Sequence, residues 1–326
     1  MSRPGMTSWI VRASLVASVA AALSGCAMLK RAAIKNVGAT IAAPGDTFTG
    51  DNDPELIRKA VPFGLKLQEA LLAYVPDDPA MLVGACSGYT SYAFAFVETD
   101  AELLREEQHH DEVKALRDEA VTLYLRAKGL CVRALESRYA GIMKALDADP
   151  AKAVKQIKKP EDVPYLYWTA ASWGAAMSLR KDPELVIDFP VVRALAERAL
   201  QLDEKWNDGS VHELMIGLDA QGEMFGGSEA GARKHFARAV ELEQGLMAGP
   251  YVSLATGVSM PKGDRAEFEK LLQQALAIDP EKKKSVRLIN LITQKRAKSL
   301  LDRVDELFPK PPDGAPGLHA RRLGRP

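Results

Sequence analysis

Cysteine is scarce in this chain, with three among 326 residues. That is too few for a disulfide framework or a thiolate zinc site, and no Cys-x-x-Cys pair occurs. Histidine is scarce too. Its five residues form no HExxH or HxxxH spacing, which argues against a helical metal site. Aromatics make up only 6% of the chain, and Lys+Arg and Asp+Glu stand at 43 each. With no basic excess there is no electrostatic footprint for nucleic acid. Val, Ile and Thr do not cluster into alternating runs, so strands are not expected. No GxSxG, Walker or Rossmann motif appears, so no enzyme and no cofactor is expected. Alanine is abundant and apolar residues recur at helical spacing, so the fold expected is all-α.

The first residues read as an export signal. Arg3 and Arg12 supply positive charge, and Ala13–Leu23 is an apolar run too short to span a bilayer. It ends in Leu23-Ser24-Gly25-Cys26, the pattern of a bacterial lipobox. The peptidase reads small residues before the cut, and the Cys26 thiol takes the lipid. No second long apolar run is read, so residues 26–53 become a lipidated tether after a signal peptide of residues 1–25. The body, residues 54–308, is expected on the periplasmic side of a membrane, with the outer membrane favoured. Residues 309–326 mix Pro, Gly and Arg without periodicity and are expected to be disordered. Cys86 and Cys131 could pair in an oxidising compartment. Their helical, apolar surroundings favour two unpaired core thiols.

The body repeats. Phe268, Leu272 and Ala275 precede Pro280, with the offsets of the second helix of a tetratricopeptide (TPR) repeat. Ala232, Phe236 and Ala239 share the spacing, as do Val192, Ala196 and Ala199. Ala127, Cys131 and Ala134 echo it, as do Phe63, Leu67 and Ala70. Candidate first helices are Pro79–Glu98, Tyr165–Leu179, Asn207–Phe225 and Pro250–Val258. Lys283–Leu307 is expected to close the array as a polar-faced cap. The architecture expected is a TPR-like solenoid or bundle of helical hairpins.

Few clusters suggest chemistry. The run EEQHHDE around His109 and His110 reads as a solvated linker. His212 and Glu213 beside Asp208 could make an acid–base pair, but no nucleophile motif accompanies them. Pro250 and Tyr251 sit at a helix start that could receive an anion. Arg287, Asn290, Gln294 and Lys298 share one side of the last helix, either as a solvent face or as part of a concave binding surface. Trp168 and Trp173 stand among Ala170, Ala171, Ser172, Gly174, Ala175 and Ala176, small residues that let helices approach closely. These rings could be core or could line a cleft.

The lipobox together with YWTAASWGAA, DFPVVRALAERALQLDEKWNDGSVHE, GGSEAGARKHFARAVEL, GPYVSLA, EFEKLLQQALAIDP and RLINLITQKRAKSLL resembles the TatT component family of TRAP transporters. The resemblance implies a TPR-like periplasmic lipoprotein that forms a homo-oligomer, a trimer. It implies docking of a TRAP solute-binding protein, and a cleft that holds or passes an apolar ligand. Trp168, Ser172, Trp173, Asn207, His212, Glu213, Pro250, Tyr251, Arg287, Asn290, Gln294 and Arg296 fall on the family's motif positions, as candidates for shaping that cleft. A general TPR adaptor for envelope protein assembly is the alternative.

Overall fold

A computed structural model describes residues 30, 32–38, 40, 45–105, 107–180 and 186–309. Cys26, the export signal and the C-terminal tail lie outside the described residues. Within them all regular structure is helical.

The principal helices are α1 Pro54–Leu72, α2 Pro79–Leu103, α3 His110–Arg138, α4 Val163–Arg180 and α5 Phe189–Leu202. They continue with α6 Ser210–Asp219, α7 Glu229–Leu242, α8 Gly249–Leu254, α9 Arg265–Leu276 and α10 Arg287–Asp302. Their starts follow local chemistry. Pro occupies the first turn of α1, α2, α5 and α8, where its missing N–H costs nothing. The side chains of Asp53, Asp78, Ser228 and Asp264 accept first-turn N–H bonds. Asp279 caps a 3-10 turn in the same way.

Consecutive helices pack as antiparallel neighbours. Tyr124 on α3 meets Glu98 on α2, and Arg138 at the end of α3 pairs with the fully buried Asp162 ahead of α4. Small residues set the spacing. Ala85, Ala127, Ala134, Ala170, Ala196 and Ala199 are fully buried in one core. Four of the five repeat registers point inward as expected. The fifth does not: Phe63 is 75% exposed and Leu67 38%, while α1 packs through Ile57, Leu65, Gln68 and Leu72. The three-point spacing has no means of telling which face of a helix finds a partner.

The expectation of free thiols at Cys86 and Cys131 is overturned. They form a disulfide, with Cα atoms 5.5 Å apart. The same alanines that crowd the core bring α2 and α3 within bridging distance.

A further correction concerns length. α2 is itself long and apolar enough to cross a bilayer. Its apolar residues are instead spent on the core, with Leu82, Ala85 and Ala93 fully buried. The last helix keeps Lys295 and Lys298 exposed on its outer face, and its inner face is packed. Ile292 packs with Ile57 and Phe96, and Arg296 grips Glu102 through two bonds of 2.6 and 2.9 Å. Arg303 donates to the carbonyls of Glu102 and Leu104. The array therefore closes on itself, its C-terminal helix joined to α1 and α2.

Candidate functional site

Closure leaves side chains deep in the molecule that still have accessible surface. Glu98, Tyr167, Glu213 and Arg296 are surrounded by protein, yet none is shut off from solvent. These four side chains are deep but only partly buried. They come from α2, α4, α6 and α10.

Arg296 organises one end. Its guanidinium chelates Glu102 and stacks 4.8 Å from the Phe94 ring centroid. It also faces Glu98 and Tyr124, and its charge is felt at Glu213. Tyr124 Oη donates to Glu98. Burial and the charge of Glu102 push the Glu98 carboxyl up to about 7, against the pull of Arg296. Glu98 ends the π-helical segment Ala93–Glu98 within α2, a distortion that recurs at functional sites. A second π segment, Ala255–Ser259, continues α8.

The other end is acidic and aromatic. The Glu213 carboxyl lies against the start of α8, where a Cβ on Gly249 would come within 2.1 Å of Glu213 Oε1. Only glycine leaves that room. Glu243 is 1% exposed and both of its carboxyl oxygens lack a partner. Burial pushes Glu213 up to about 7. Burial and the neighbouring Glu213 push Glu243 up to about 9. Both carboxyls act on Tyr167, whose hydroxyl is shifted upward, mainly by burial. Tyr167 is also the middle ring of three, 4.9 Å from Trp168 and 4.8 Å from Trp206 between centroids.

Two strained turns flank this end. Asn207 and Asp208 hold φ of 47° and 58°, and Gln244 holds 57°. Left-handed non-glycine residues cost energy and persist where the surroundings enforce them. Here Asn207 Nδ2 donates to Ser210 Oγ, and Asp208 pairs with Lys283 at 2.6 Å. Asn290 accepts from the N–H of Ala248 at 2.9 Å and donates to the carbonyl of Leu246 at 2.8 Å, pinning the turn after Glu243.

The sequence candidates divide on this map. Trp168 packs edge-on against the Tyr167 ring, Glu213 lies against the start of α8, Arg296 chelates Glu102, and Tyr251 feels the charge of Glu243. Trp173 is core, 3% exposed, with the Lys128 ammonium 3.5 Å from its ring centroid. Ser172 is fully buried and donates to backbone carbonyls of its own helix. Pro250 is a buried first-turn proline. The helix start it marks holds no open anion seat, because Asn290 takes the Ala248 N–H and Glu213 fills the room at Gly249.

The polar row of the last helix is structural. Gln294 donates to the carbonyls of Ala275 and Ile278 at the end of α9, Asn290 is 2% exposed, and Arg287 pairs with Glu281 at 2.7 Å. Asp208, His212 and Glu213 diverge. A ring nitrogen of His212 meets His235 at 2.8 Å and the other lies 3.3 Å from Glu204. His109 and His110 start α3, and among the described residues no three His, Cys, Asp or Glu side chains could hold a metal.

Glu98, Tyr124, Tyr167 and Glu243 escaped the sequence reading. Glu98 left one trace, a lone acid closing the apolar run AFAFVE. Glu243, in ELEQG, left none.

The family model TAtT, described as the TRAP transporter T-component, matches residues 50–308. An uncharacterized protein of Treponema pallidum (strain Nichols) is 29% identical over 266 residues, covering 80% of this chain and 82% of the relative. A family match over most of the chain carries with it a role in TRAP transport and a place at the cell envelope. The chain belongs to the TRAP transporter T-component family.

Proposed function

We propose that this protein is a ligand-holding, non-enzymatic component of a TRAP uptake system that docks the system's solute-binding protein on the periplasmic side of a membrane, with Cys26 as its lipid anchor. The observation that carries the ligand-holding reading is the set of deep but accessible side chains Glu98, Tyr167, Glu213 and Arg296. Trp168, Ala171 and Ala175 extend it along one face of α4 with partly accessible apolar surface. Such a mixture suits a ligand with an apolar body and a polar end. The docking role is tested by size-exclusion chromatography with the TRAP solute-binding protein of the same organism. Co-elution at micromolar concentration is expected, and separate elution overturns it. Cys26→Ser should abolish incorporation of a fatty-acid probe; continued labelling overturns the anchor.

The oligomeric part of the reading is supported by the outer face of α1. Leu56, Ala60, Phe63, Leu67 and Ala70 are all exposed and follow one another at steps of 4, 3, 4 and 3 residues. That is a coiled-coil seam without its partner helix. The occupant proposed is a second copy of this chain. Phe63→Glu should lower the mass measured by analytical ultracentrifugation to that of one chain. An unchanged mass excludes this face.

A further inference from the structure

We propose that His212 and His235 form a neutral clasp that fastens α6 to α7 and that acid undoes, which makes this helical hairpin the pH-responsive part of the fold. The device does not depend on what the protein holds or docks.

The first ground is a contact that admits one proton only. His212 stands on α6 and His235 on α7, with side chains 7% and 14% exposed. Their Nδ1 atoms are 2.8 Å apart. At that distance two lone pairs repel and two N–H groups collide, so one ring must donate and the other accept.

The second ground is that the neighbours select the donor. His212 Nε2 lies 3.3 Å from Glu204 Oε2, whereas His235 Nε2 lies 3.8 Å from Asp219 Oδ2, beyond hydrogen-bond reach. Two neutral rings have two N–H groups between them. One on His212 Nε2 serves Glu204, and the other on His235 Nδ1 serves the contact between the rings. His235 Nε2 is then bare and stands off from the Asp219 carboxylate, as observed. The opposite assignment would aim a lone pair of His212 at Glu204.

The third ground is charge. Arg238 pairs with Glu204 and Arg193 with Asp219, so both carboxylates are already balanced. The charged groups that face the rings are Arg193 on α5, Glu204 ahead of α6, Asp219 at the end of α6, and Lys234 and Arg238 on α7. Cations therefore outnumber anions around the pair. α8 packs on both helices and has no charged side chain, and burial shifts its Tyr251 hydroxyl further up. Burial, aided by the cations, pushes both imidazoles down against the pull of Glu204 and Asp219. Glu204 is itself held down to about 2 by Arg238.

Acid acts in two steps. The first proton goes to the bare His235 Nε2 and leaves the bond between the rings intact. The second must take the lone pair of His212 Nδ1, and two N–H groups then face each other at 2.8 Å. Rings in the unfolded chain take protons near 6.5. The folded pair takes them only at lower pH, so the hairpin loses stability as pH falls below about 6.5. At pH 5.0, about 1.5 pH units lower, the loss reaches at most about thirtyfold per ring. Ile216 on α6 and Ala232 on α7 stay buried in one apolar cluster, so the expected result is local opening.

Hydrogen exchange of the full chain, corrected for the pH dependence of the intrinsic rate, tests this at pH 7.5 and pH 5.0. Protection in α6 and α7 should fall about tenfold or more at the lower pH. α4 and α9, which contain no histidine, should change little. In His212→Gln/His235→Gln the acid-dependent loss should disappear, although His109, His110 and His319 remain. Ring-nitrogen shifts of the nitrogen-labelled protein at pH 7.5 need no variant. They should show His212 protonated at Nε2 and His235 at Nδ1. Equal loss of protection in every helix, a loss that survives the double variant, or both rings in the same tautomer overturns the inference.

Discussion

Removing the bridge between Cys86 and Cys131 should cost this protein a large part of its stability. The bond closes 45 residues of chain, the whole of the second half of α2 and most of α3. On the loop-entropy account a cross-link over that span raises the free energy of the unfolded chain by about 4 kcal/mol. Both sulfurs lie in a fully buried layer with Ala85, Ala127 and Ala134, so nothing solvates them when the bond is lost. Cys86→Ala/Cys131→Ala should shift the urea midpoint down by about 1–2 M if the denaturant slope of a domain this size is about 2–3 kcal/mol per M. The slope itself reports on the unfolded state and should rise slightly, because the uncrosslinked chain exposes more surface. Thiol titration of the denatured, unreduced protein should find no free Cys86 or Cys131. Two titrating thiols, or a double variant with an unmoved midpoint, would refute the packing argument. The bridge also bears on location, since structural disulfides persist outside the reducing cytosol.

Other outcomes follow from charge. Arg233 and Ser259 hold Glu267 down to about 2. A depressed carboxylate stabilises the fold above its unfolded value near 4.5, and that contribution is lost as pH falls toward 2. Glu267→Gln should flatten an acid-unfolding curve in that window; an unchanged curve counts against the pair. Glu243 has the opposite sign. Its raised value means stability is lost as pH climbs from about 4.5 to about 9, so Glu243→Gln should raise the melting temperature at pH 8 more than at pH 5. Equal shifts at both pH values would place that carboxyl in water. Arg296→Met should cost about 1–3 kcal/mol, held below the full price of a buried pair because Glu102 is 36% exposed. Hydrogen exchange should then quicken in Thr99–Leu103 before it does in α4; exchange quickening uniformly would mean that α10 does not close the array.

Much of the fold was legible because helices are built from local signals. Prolines, Asp and Ser caps, and small residues at repeat spacing marked α4, α5, α7 and α9 near their true bounds. What failed was anything that depends on which helix meets which. Phe63, Leu67 and Ala70 carry the repeat spacing on a face that this chain leaves uncovered. Cys86 and Cys131 look like core thiols until α2 and α3 are laid side by side. Asn290 and Gln294 look like solvent-facing polar residues until the ends of α9 and the turn before α8 arrive to be capped. The site was harder still. Trp168, Glu213 and Arg296 could be named from motif positions, but Glu243 owes its character to the burial that its neighbours impose. A short stretch of sequence contains no measure of burial.

The central claim is that the region where α2, α4, α6 and α10 meet holds a small molecule. Native mass spectrometry of the protein, extracted from its own membranes without denaturation, tests it directly. A recurring non-covalent mass, one per chain and the same in independent preparations, is expected. A bare chain mass in every preparation would contradict it.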